Sequence, residues 1–118
     1  MLRTICRAKI HAATVTEANL NYVGSIPIDK RLLEATDVFP YERVQIVNLN
    51  NGSRIETYVI PGKKGSGTIC MNGGTARWAV VGDRILVISY AMMEAKDAVA
   101  FKPKVIFVNE KNKIVSRK

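Results

Sequence analysis

The sequence has only one histidine, His11, and only two cysteines, Cys6 and Cys70. A single histidine excludes a metal site built on two histidines, and the two cysteines fit no metal-ligand spacing. A Ser-His-Asp triad would have to use His11, and no Gly-x-Ser-x-Gly motif marks a nucleophile elbow. The common catalytic and metal-binding motifs are therefore missing.

Long apolar runs are missing as well. No segment approaches the roughly 20 consecutive apolar residues of a membrane-spanning helix. Near the start of the chain, Arg3, Arg7 and Lys9 interrupt the apolar stretch that a signal peptide requires. These absences predict a cytoplasmic protein in which both thiols stay reduced instead of forming a structural disulfide.

The length and composition of the chain indicate one globular domain. A chain of 118 residues is long enough for one hydrophobic core, so we expect a single domain over residues 1–118. Apolar residues make up 47% and charged residues 24%, which is the balance of a globular and not of a disordered chain. Aromatic residues are few and β-branched residues abundant, which favours strands over helices.

The formal net charge is +8, with 18 basic against 10 acidic residues. Such a charge is typical of a nucleic-acid-binding protein, and it would equally attract an acidic metabolite. Much of the excess lies in two basic stretches near the end of the chain, 102–104 and 111–118, which favours a solvated surface. The aromatic residues form no cluster for base stacking, so a salt-dependent affinity for DNA or RNA would be needed to revive the nucleic-acid hypothesis.

Short strand-like runs alternate with turn residues along most of the chain. The runs are 9–16, 44–49, 54–60, 68–71, 84–91 and 105–108. Asn50-Asn51-Gly52-Ser53 predicts a β-hairpin, because Asn and Gly both accept the positive φ of a tight turn. Asp29 is the predicted N-cap of a short helix through Leu32, Leu33 and Ala35. The pattern is typical of a small, mainly β barrel or sandwich, and we favour the barrel because closure removes exposed edges.

Three further segments are predicted to be turns or loops. Gly62-Lys63-Lys64-Gly65-Ser66-Gly67 is rich in glycine, but it lacks the residue order of a phosphate-binding loop and no clear helix follows it. We therefore predict a flexible hairpin loop there. The segment 19–25 is predicted to be a strand end or turn, and Lys111-Asn112 another turn.

An ordered set of short motifs extends over nearly the whole chain. The motifs are Lys9-Ile10-His11, the segment 19–26 with Gly24-Ser25, Asn51-Gly52-Ser53-Arg54, Thr57-Tyr58, Asn72-Gly73 and Val81-Gly82-Asp83. A lone Gly-Ser pair is usually an ordinary turn. The full set, in this order and at these separations, resembles the bacterial aspartate 1-decarboxylase family, which matures by breaking its own chain at a Gly-Ser bond.

The resemblance implies a double-psi β-barrel with short helices, assembled as a homotetramer with active sites between neighbouring subunits. It implies cleavage between Gly24 and Ser25 into a β chain, residues 1–24, and an α chain, residues 25–118. The implied activity is decarboxylation of L-aspartate to β-alanine and carbon dioxide, which supplies pantothenate and coenzyme A biosynthesis.

The implied chemistry explains the residue types at the cleavage site. The Ser25 hydroxyl attacks the Gly24 carbonyl, and glycine helps because it tolerates strained backbone geometry and leaves its carbonyl open. Elimination of the resulting ester and hydrolysis convert Ser25 into a covalent pyruvoyl group. That group forms a Schiff base with the amine of aspartate and accepts the electrons released with carbon dioxide, so neither pyridoxal phosphate nor a metal is needed.

Two adjacent residues of the third predicted strand match catalytic and binding positions of the family. Tyr58 matches the residue that protonates the intermediate after decarboxylation, and a phenol is a suitable weak acid. Thr57 matches a residue that contacts substrate and orients the Gly24 carbonyl. Without the resemblance, Tyr58 would be a packing residue and Thr57 an ordinary β-branched strand residue.

Other matches are to substrate contacts. Arg54 and Lys9 match cations that hold the two carboxylates of aspartate. Strand alternation places Arg54 on the same face of its strand as Tyr58. For Lys9, a solvated surface charge is an alternative interpretation. Gly73, Gly74 and Thr75 match a turn whose backbone approaches substrate, although a simple tight turn would use the same residues. Asn72 matches a residue near the cleavage site. His11 and Tyr22 also match, and structural roles account for them equally well.

The sequence departs from the family pattern at two places. Many members have two alanines where this chain has Gly74 and Thr75, and Pro27 removes a backbone donor near the cleavage site. A homologue that has lost activity and acts as a scaffold is the remaining alternative, and it would keep an uncut chain.

Overall fold

The alternating, β-branched segments fold into nine strands, and the computed structural model describes all residues 1–118. The strands are β1 (Leu2–Thr14), β2 (Glu17–Asn19), β3 (Ile26–Asp29), β4 (Arg43–Asn48), β5 (Arg54–Gly62), β6 (Cys70–Asn72), β7 (Arg84–Glu94), β8 (Lys104–Val108) and β9 (Ile114–Arg117). The helices are α1 (Lys30–Thr36), α2 (Ala95–Ala98) and a 3-10 helix at Gly73–Arg77. The prediction of a mainly β protein with short helices is confirmed.

Seven strands form one curled sheet in the order β3-β5-β4-β7-β1-β8-β9. The remaining two strands, β2 and β6, pair in parallel with each other. Isolated bridges join Ser25 to Asn72 and Ile28 to Ile69, so the β6 segment also lies against β3. The seven-stranded sheet curls into a half-barrel, and the arrangement is compatible with a small double-psi β-barrel.

The core lies on the inner side of this curled sheet. Strand alternation sends Val44, Ile46 and Asn48 of β4 inward and leaves Gln45 and Val47 between them half-buried. The largest inward side chains, including Ile10, Ile46 and Ile85, are almost fully buried, and each contributes about 1.5–3 kcal/mol of transfer free energy. This packing fixes the strands that bear the site.

The predicted hairpin between β4 and β5 is confirmed, and Val47 lies opposite Arg54 in its register. Only Gly52 takes a positive φ, +76°, whereas Asn51 does not. Asn51 contributes its side chain instead, accepting a hydrogen bond from the Ser53 N–H at 2.8 Å. The turn therefore needs one residue with positive φ and not the two that an Asn-Gly pair suggests.

Asp29 caps α1 as predicted, and it also anchors the glycine-rich loop. Its Oδ1 accepts hydrogen bonds from the N–H groups of Arg31 and Gly65, both at 2.8 Å, and its Oδ2 accepts one from Gly67 at 2.9 Å. Burial alone would raise the pKa of Asp29, but these three N–H groups, together with the charge of Lys113, hold it below its ordinary value. The loop is thus fixed to the end of β3, the strand that begins directly after Ser25.

Five elements differ from the sequence expectations. The run 72–75, predicted to be a tight turn, opens a 3-10 helix, and α2 and β9 were not predicted. The short strands β2 and β3 lie outside the predicted strand runs as well. Both cysteines are free thiols, as expected. No helix is long and apolar enough to span a bilayer.

Candidate active site

The candidate site is centred on the carbonyl group of Gly24. The loop that follows β2 carries Gly24 across the exposed face of β5, where the Tyr58 hydroxyl donates a hydrogen bond to the Gly24 carbonyl oxygen at 2.7 Å. Tyr58 remains 36% exposed, so its phenol is both bound to this carbonyl and open to solvent. The structure therefore places a proton donor on the carbonyl group that precedes Ser25.

Ser25 is buried and has an unusual backbone conformation. Its φ is +149°, in a region that L residues other than glycine rarely adopt. The Asn72 N–H donates to the Ser25 carbonyl at 3.1 Å, and no hydrogen bond within the chain holds the Ser25 hydroxyl. Gly24 does not take a positive φ, and a Cβ there would meet no atom within 4 Å. The backbone strain that the sequence suggested for Gly24 is located at Ser25.

The chain reverses beside this junction at the start of the 3-10 helix. The Thr75 hydroxyl donates to the Asn72 carbonyl at 2.7 Å, which gives the hydroxyl that departs from the family pattern a local structural role. Gly73 has φ +61°, and a Cβ on it would lie 2.8 Å from the Gly24 Cα and 2.9 Å from its nitrogen. Gly74 has open space at its Cβ position. Only the first of the two glycines is required by the close approach to Gly24.

This difference between the two glycines gives a testable prediction. Replacing Gly73 by alanine should push the Gly24 backbone away from Tyr58, slow any reaction at the Gly24–Ser25 bond by about tenfold or more, and destabilise the fold by about 1–3 kcal/mol. Gly74→Ala is the matched control and should behave as the parent chain. Cleavage time courses and thermal melts would check this, and equal behaviour of the two variants would contradict it.

A pocket of about 340 Å³ opens beside Gly24. Its lining residues are Gly24, Ile55, Glu56, Thr57, Tyr58, Asn72, Gly74, Thr75 and Trp78. The structure thus brings together six residues that were predicted to lie at or near the site, namely Gly24, Thr57, Tyr58, Asn72, Gly74 and Thr75. Ser25 and Gly73 adjoin this group in the chain. Ile55, Glu56 and Trp78 also line the pocket and were not predicted as site residues.

The two predicted cations do not line the pocket. The Arg54 Nη1 donates to the Gln45 Oε1 at 2.9 Å on the outer face of the sheet. Lys9 lies on β1 opposite Ile88, and β7 and β4 separate β1 from β5. Three strand spacings, roughly 14 Å, therefore separate Lys9 from the strand of Tyr58. Within one chain, neither cation reaches the Gly24 carbonyl.

The outer face of the sheet has a half-buried, mostly apolar patch around these cations. The outer patch consists of Lys9, His11, Val47, Leu86, Ile88, Val105 and Phe107, which neighbour one another in the registers of β4, β7, β1 and β8. The His11 and Phe107 rings are 5.0 Å apart between centroids. Burial, and then the positive charges of Lys9 and Arg84, lower the pKa of His11, which favours its neutral form in this patch.

Two of the sequence motifs meet at the wall of the pocket. The Asn48 and Asn51 side-chain amides donate to the Trp78 carbonyl at 3.0 and 2.9 Å. Asn48 also donates to the Asp83 carboxylate at 2.9 Å, and hydrogen bonding from this amide, followed by the Val80 N–H, lowers the pKa of Asp83. The Asn51-Gly52-Ser53 and Val81-Gly82-Asp83 motifs therefore hold the end of the 3-10 helix that places Trp78. No group of three or more His, Cys, Asp or Glu side chains is placed to hold a metal ion.

Fold and site together define a small, mainly β protein whose pocket is built around one peptide carbonyl, with a phenol donor on it. A family model described as aspartate decarboxylase matches residues 1–115. The chain is similar to the aspartate 1-decarboxylase of Carboxydothermus hydrogenoformans, with 58% identity over 118 residues, which cover all of this chain and 93% of that protein. The Bacillus subtilis protein of the same name is 57% identical over 97% of this chain and 90% of its own length. The chain belongs to the aspartate decarboxylase family.

Proposed function

We propose that this chain cleaves itself between Gly24 and Ser25 and that the products, residues 1–24 and 25–118, together decarboxylate L-aspartate to β-alanine and carbon dioxide for pantothenate synthesis. The observation that supports this most directly is the 2.7 Å hydrogen bond from the Tyr58 hydroxyl to the carbonyl that precedes Ser25. Family membership supports the reaction, and the pocket beside Gly24 supports its location.

The proposed cleavage begins with attack of the Ser25 Oγ on the Gly24 carbonyl carbon. The C–N bond breaks, the hydroxyl proton moves to the released nitrogen, and an ester joins Gly24 to the Ser25 side chain. Tyr58 is placed to stabilise the negative charge that develops on the Gly24 oxygen during attack. Strain at the Ser25 φ of +149° is relieved when the peptide bond breaks, which favours the ester.

Elimination completes the cleavage. Loss of the Ser25 Cα proton and of the Cβ–O bond releases residues 1–24 with a terminal carboxylate and leaves a dehydroalanine at the start of β3. Addition of water and loss of ammonia then give the pyruvoyl group. The three carbons of this group are those of Ser25, so it fits the space that Ser25 already fills in the buried start of β3.

When formed, the pyruvoyl group supplies a carbonyl that bonds the substrate amine and withdraws the electrons released with carbon dioxide. Tyr58 then holds the proton that replaces carbon dioxide, because it lines the pocket and is 36% exposed. Thr57 and the backbone at Gly74 and Thr75 line the same pocket and are placed to orient a small diacid. No step requires pyridoxal phosphate or a metal.

We further propose that the active assembly is a homotetramer in which a neighbouring copy completes the site. The pocket is lined by the Glu56 carboxylate and by no cation, although the substrate has two negative charges to balance. Lys9 and Arg54 lie on the outer face of the sheet, in or beside the half-buried outer patch, so a second copy packed there would cover apolar surface. Packing of that kind supplies the missing cations from an adjacent subunit.

The deciding experiment is mass spectrometry of the purified chain. Under denaturing conditions we expect two species, residues 1–24 and residues 25–118, with the larger lighter than its unmodified sequence by the exchange of an amine for a ketone and blocked to N-terminal sequencing. Native spectra should show four copies of each species. A single intact chain that does not decarboxylate aspartate would indicate the scaffold alternative, and a single intact chain that does would overturn the mechanism.

A further inference from the structure

Cys70 lies beside the cleavage site without belonging to the reacting groups. It is buried at the start of β6, two residues before Asn72, so both side chains project from the same face of that strand. The Cys70 Sγ donates a hydrogen bond to the Asn72 Oδ1 at 3.0 Å. The thiol therefore holds one end of the Asn72 side-chain amide.

The other end of that amide has no partner within the chain. The Asn72 Nδ2 makes no hydrogen bond within the chain. Thr14 Oγ1 is the only fully buried side-chain oxygen or nitrogen without a hydrogen bond. The Asn72 Nδ2 is therefore not fully buried and reaches solvent-accessible space. Asn72 lines the pocket beside Gly24. Its main chain is fixed at both ends, because its N–H donates to the Ser25 carbonyl and its own carbonyl accepts from Thr75.

Asn72 and Ser25 are directly opposed in an antiparallel bridge. The bridge brings the two residues side by side, with Ser25 at a φ of +149° that departs from regular strand geometry. The thiol of Cys70 and the amide of Asn72 thus lie on one face of β6, next to the backbone of Ser25. Since the thiol occupies the amide oxygen, the amide N–H₂ is the end left for another acceptor in the pocket that Asn72 shares with Gly24.

We propose that Cys70 is a positioning residue for self-cleavage, which acts by fixing the Asn72 amide so that its Nδ2 donates toward the Gly24–Ser25 junction. Burial raises the pKa of the Cys70 thiol, and the charge of the Glu17 carboxylate and a hydrogen bond with it raise that pKa further, so the sulfur keeps its proton. The single S–H has two acceptors within reach, the Glu17 carboxylate and the Asn72 Oδ1, and we assign it to Asn72. Without that donor, the Asn72 amide can rotate and turn its Oδ1 toward the junction. The Oδ1 would then lie near the Gly24 oxygen and disfavour the negative charge that develops there during attack. This role rests on the proposed cleavage.

The test compares cleavage rates of freshly synthesised parent chain, Cys70→Ala, Cys70→Ser and Cys6→Ala by intact mass. We expect Cys70→Ala to cleave about fivefold more slowly, as for the loss of one hydrogen bond. Cys70→Ser should cleave within about twofold of the parent rate, because a hydroxyl supplies the same donor. Cys6→Ala is the control, since Cys6 lies on β1 away from the junction. Equal rates for all four chains, or a serine variant as slow as the alanine variant, would overturn the proposal.

Two further measurements separate positioning from packing. In an Asn72→Ala background, adding Cys70→Ala should not slow cleavage further, and an undiminished effect there would assign it to packing instead. In the uncut Ser25→Ala, Cys6→Ala protein, Cys70 is the only thiol, and its infrared S–H band should lie below the frequency of a free thiol. A band at the free-thiol frequency would refute the hydrogen bond. A parent chain that never cleaves would instead refute the proposed function itself.

Discussion

Replacing Ser25 by alanine is expected to leave one intact chain of 118 residues with no decarboxylase activity. Alanine has no hydroxyl to attack the Gly24 carbonyl, so neither the ester nor the pyruvoyl group can form. The activity should fall to the uncatalysed background, a loss of about 10⁶-fold or more, since that is the least that enzymes usually supply. Intact mass and carbon dioxide release from aspartate measure the two effects on the same sample.

The fold of the Ser25→Ala chain should survive. The Ser25 hydroxyl makes no hydrogen bond within the chain, so its removal should change the free energy of unfolding by no more than about 1 kcal/mol. Ser116→Ala is a suitable control, because Ser116 is exposed in β9 and that chain should cleave at the parent rate. If the Ser25→Ala protein still released carbon dioxide from aspartate, the mechanism would be wrong.

The parts of the fold that sequence reasoning predicted correctly are those that local chemistry decides. Gly52 supplies the positive φ of the β4–β5 turn, and Asp29 accepts the Arg31 N–H at the start of α1; both depend on residues a few positions apart. The strand β1 was predicted only from residue 9, yet it begins at Leu2. The first residues of β1 pair with the end of β7, near Glu94. Nothing in the local sequence indicates a pairing partner so far away in the chain.

The residues of the candidate site fall into the same two groups, those that local sequence predicts and those that only long-range contacts place. Thr57 and Tyr58 are neighbours on a strand, so their common location followed from the motif alone. The Gly73 contact with Gly24 joins segments about fifty residues apart. Gly73 is glycine because a side chain there would collide with the Gly24 backbone, and the spacing of motifs in the sequence does not reveal that collision. Trp78 was missed for the same reason, because only the amides of Asn48 and Asn51, on the β4–β5 hairpin, place it beside the pocket.

Lys9 and Arg54 show that knowing which face of a strand bears a residue does not place that residue in the pocket. Alternation placed Arg54 and Tyr58 on one face of β5, and the exposure pattern of that strand agrees. The Arg54 guanidinium nevertheless bonds to Gln45 and lies outside the pocket, and Lys9 is three strands away. A residue whose partner lies on another copy of the chain cannot be placed by the pattern or the fold of one chain, which is why their roles depend on the proposed assembly.

Tyr58→Phe is expected to separate the two reactions proposed for this site. Phenylalanine keeps the ring and its packing but removes the hydroxyl that donates to the Gly24 carbonyl at 2.7 Å. Cleavage should still occur, about tenfold more slowly, because the attacked carbonyl loses one charge-stabilising donor while the nucleophile remains. Turnover of the cleaved protein should fall by about 100-fold or more, since it loses the acid that returns a proton after decarboxylation.

The measurement must therefore divide the decarboxylation rate by the fraction of cleaved chain in each sample. Tyr41→Phe is the matched control: the Tyr41 ring lies 6.3 Å from that of Tyr58, and its hydroxyl has no hydrogen bond within the chain, so both rates should stay close to those of the parent. Parent-like turnover in cleaved Tyr58→Phe would remove the phenol from the protonation step. Slow cleavage with parent-like turnover would limit the role of the Tyr58 hydroxyl to polarising the Gly24 carbonyl. The peptide bond is broken only once, whereas a proton donor for the product must act each time a substrate is consumed.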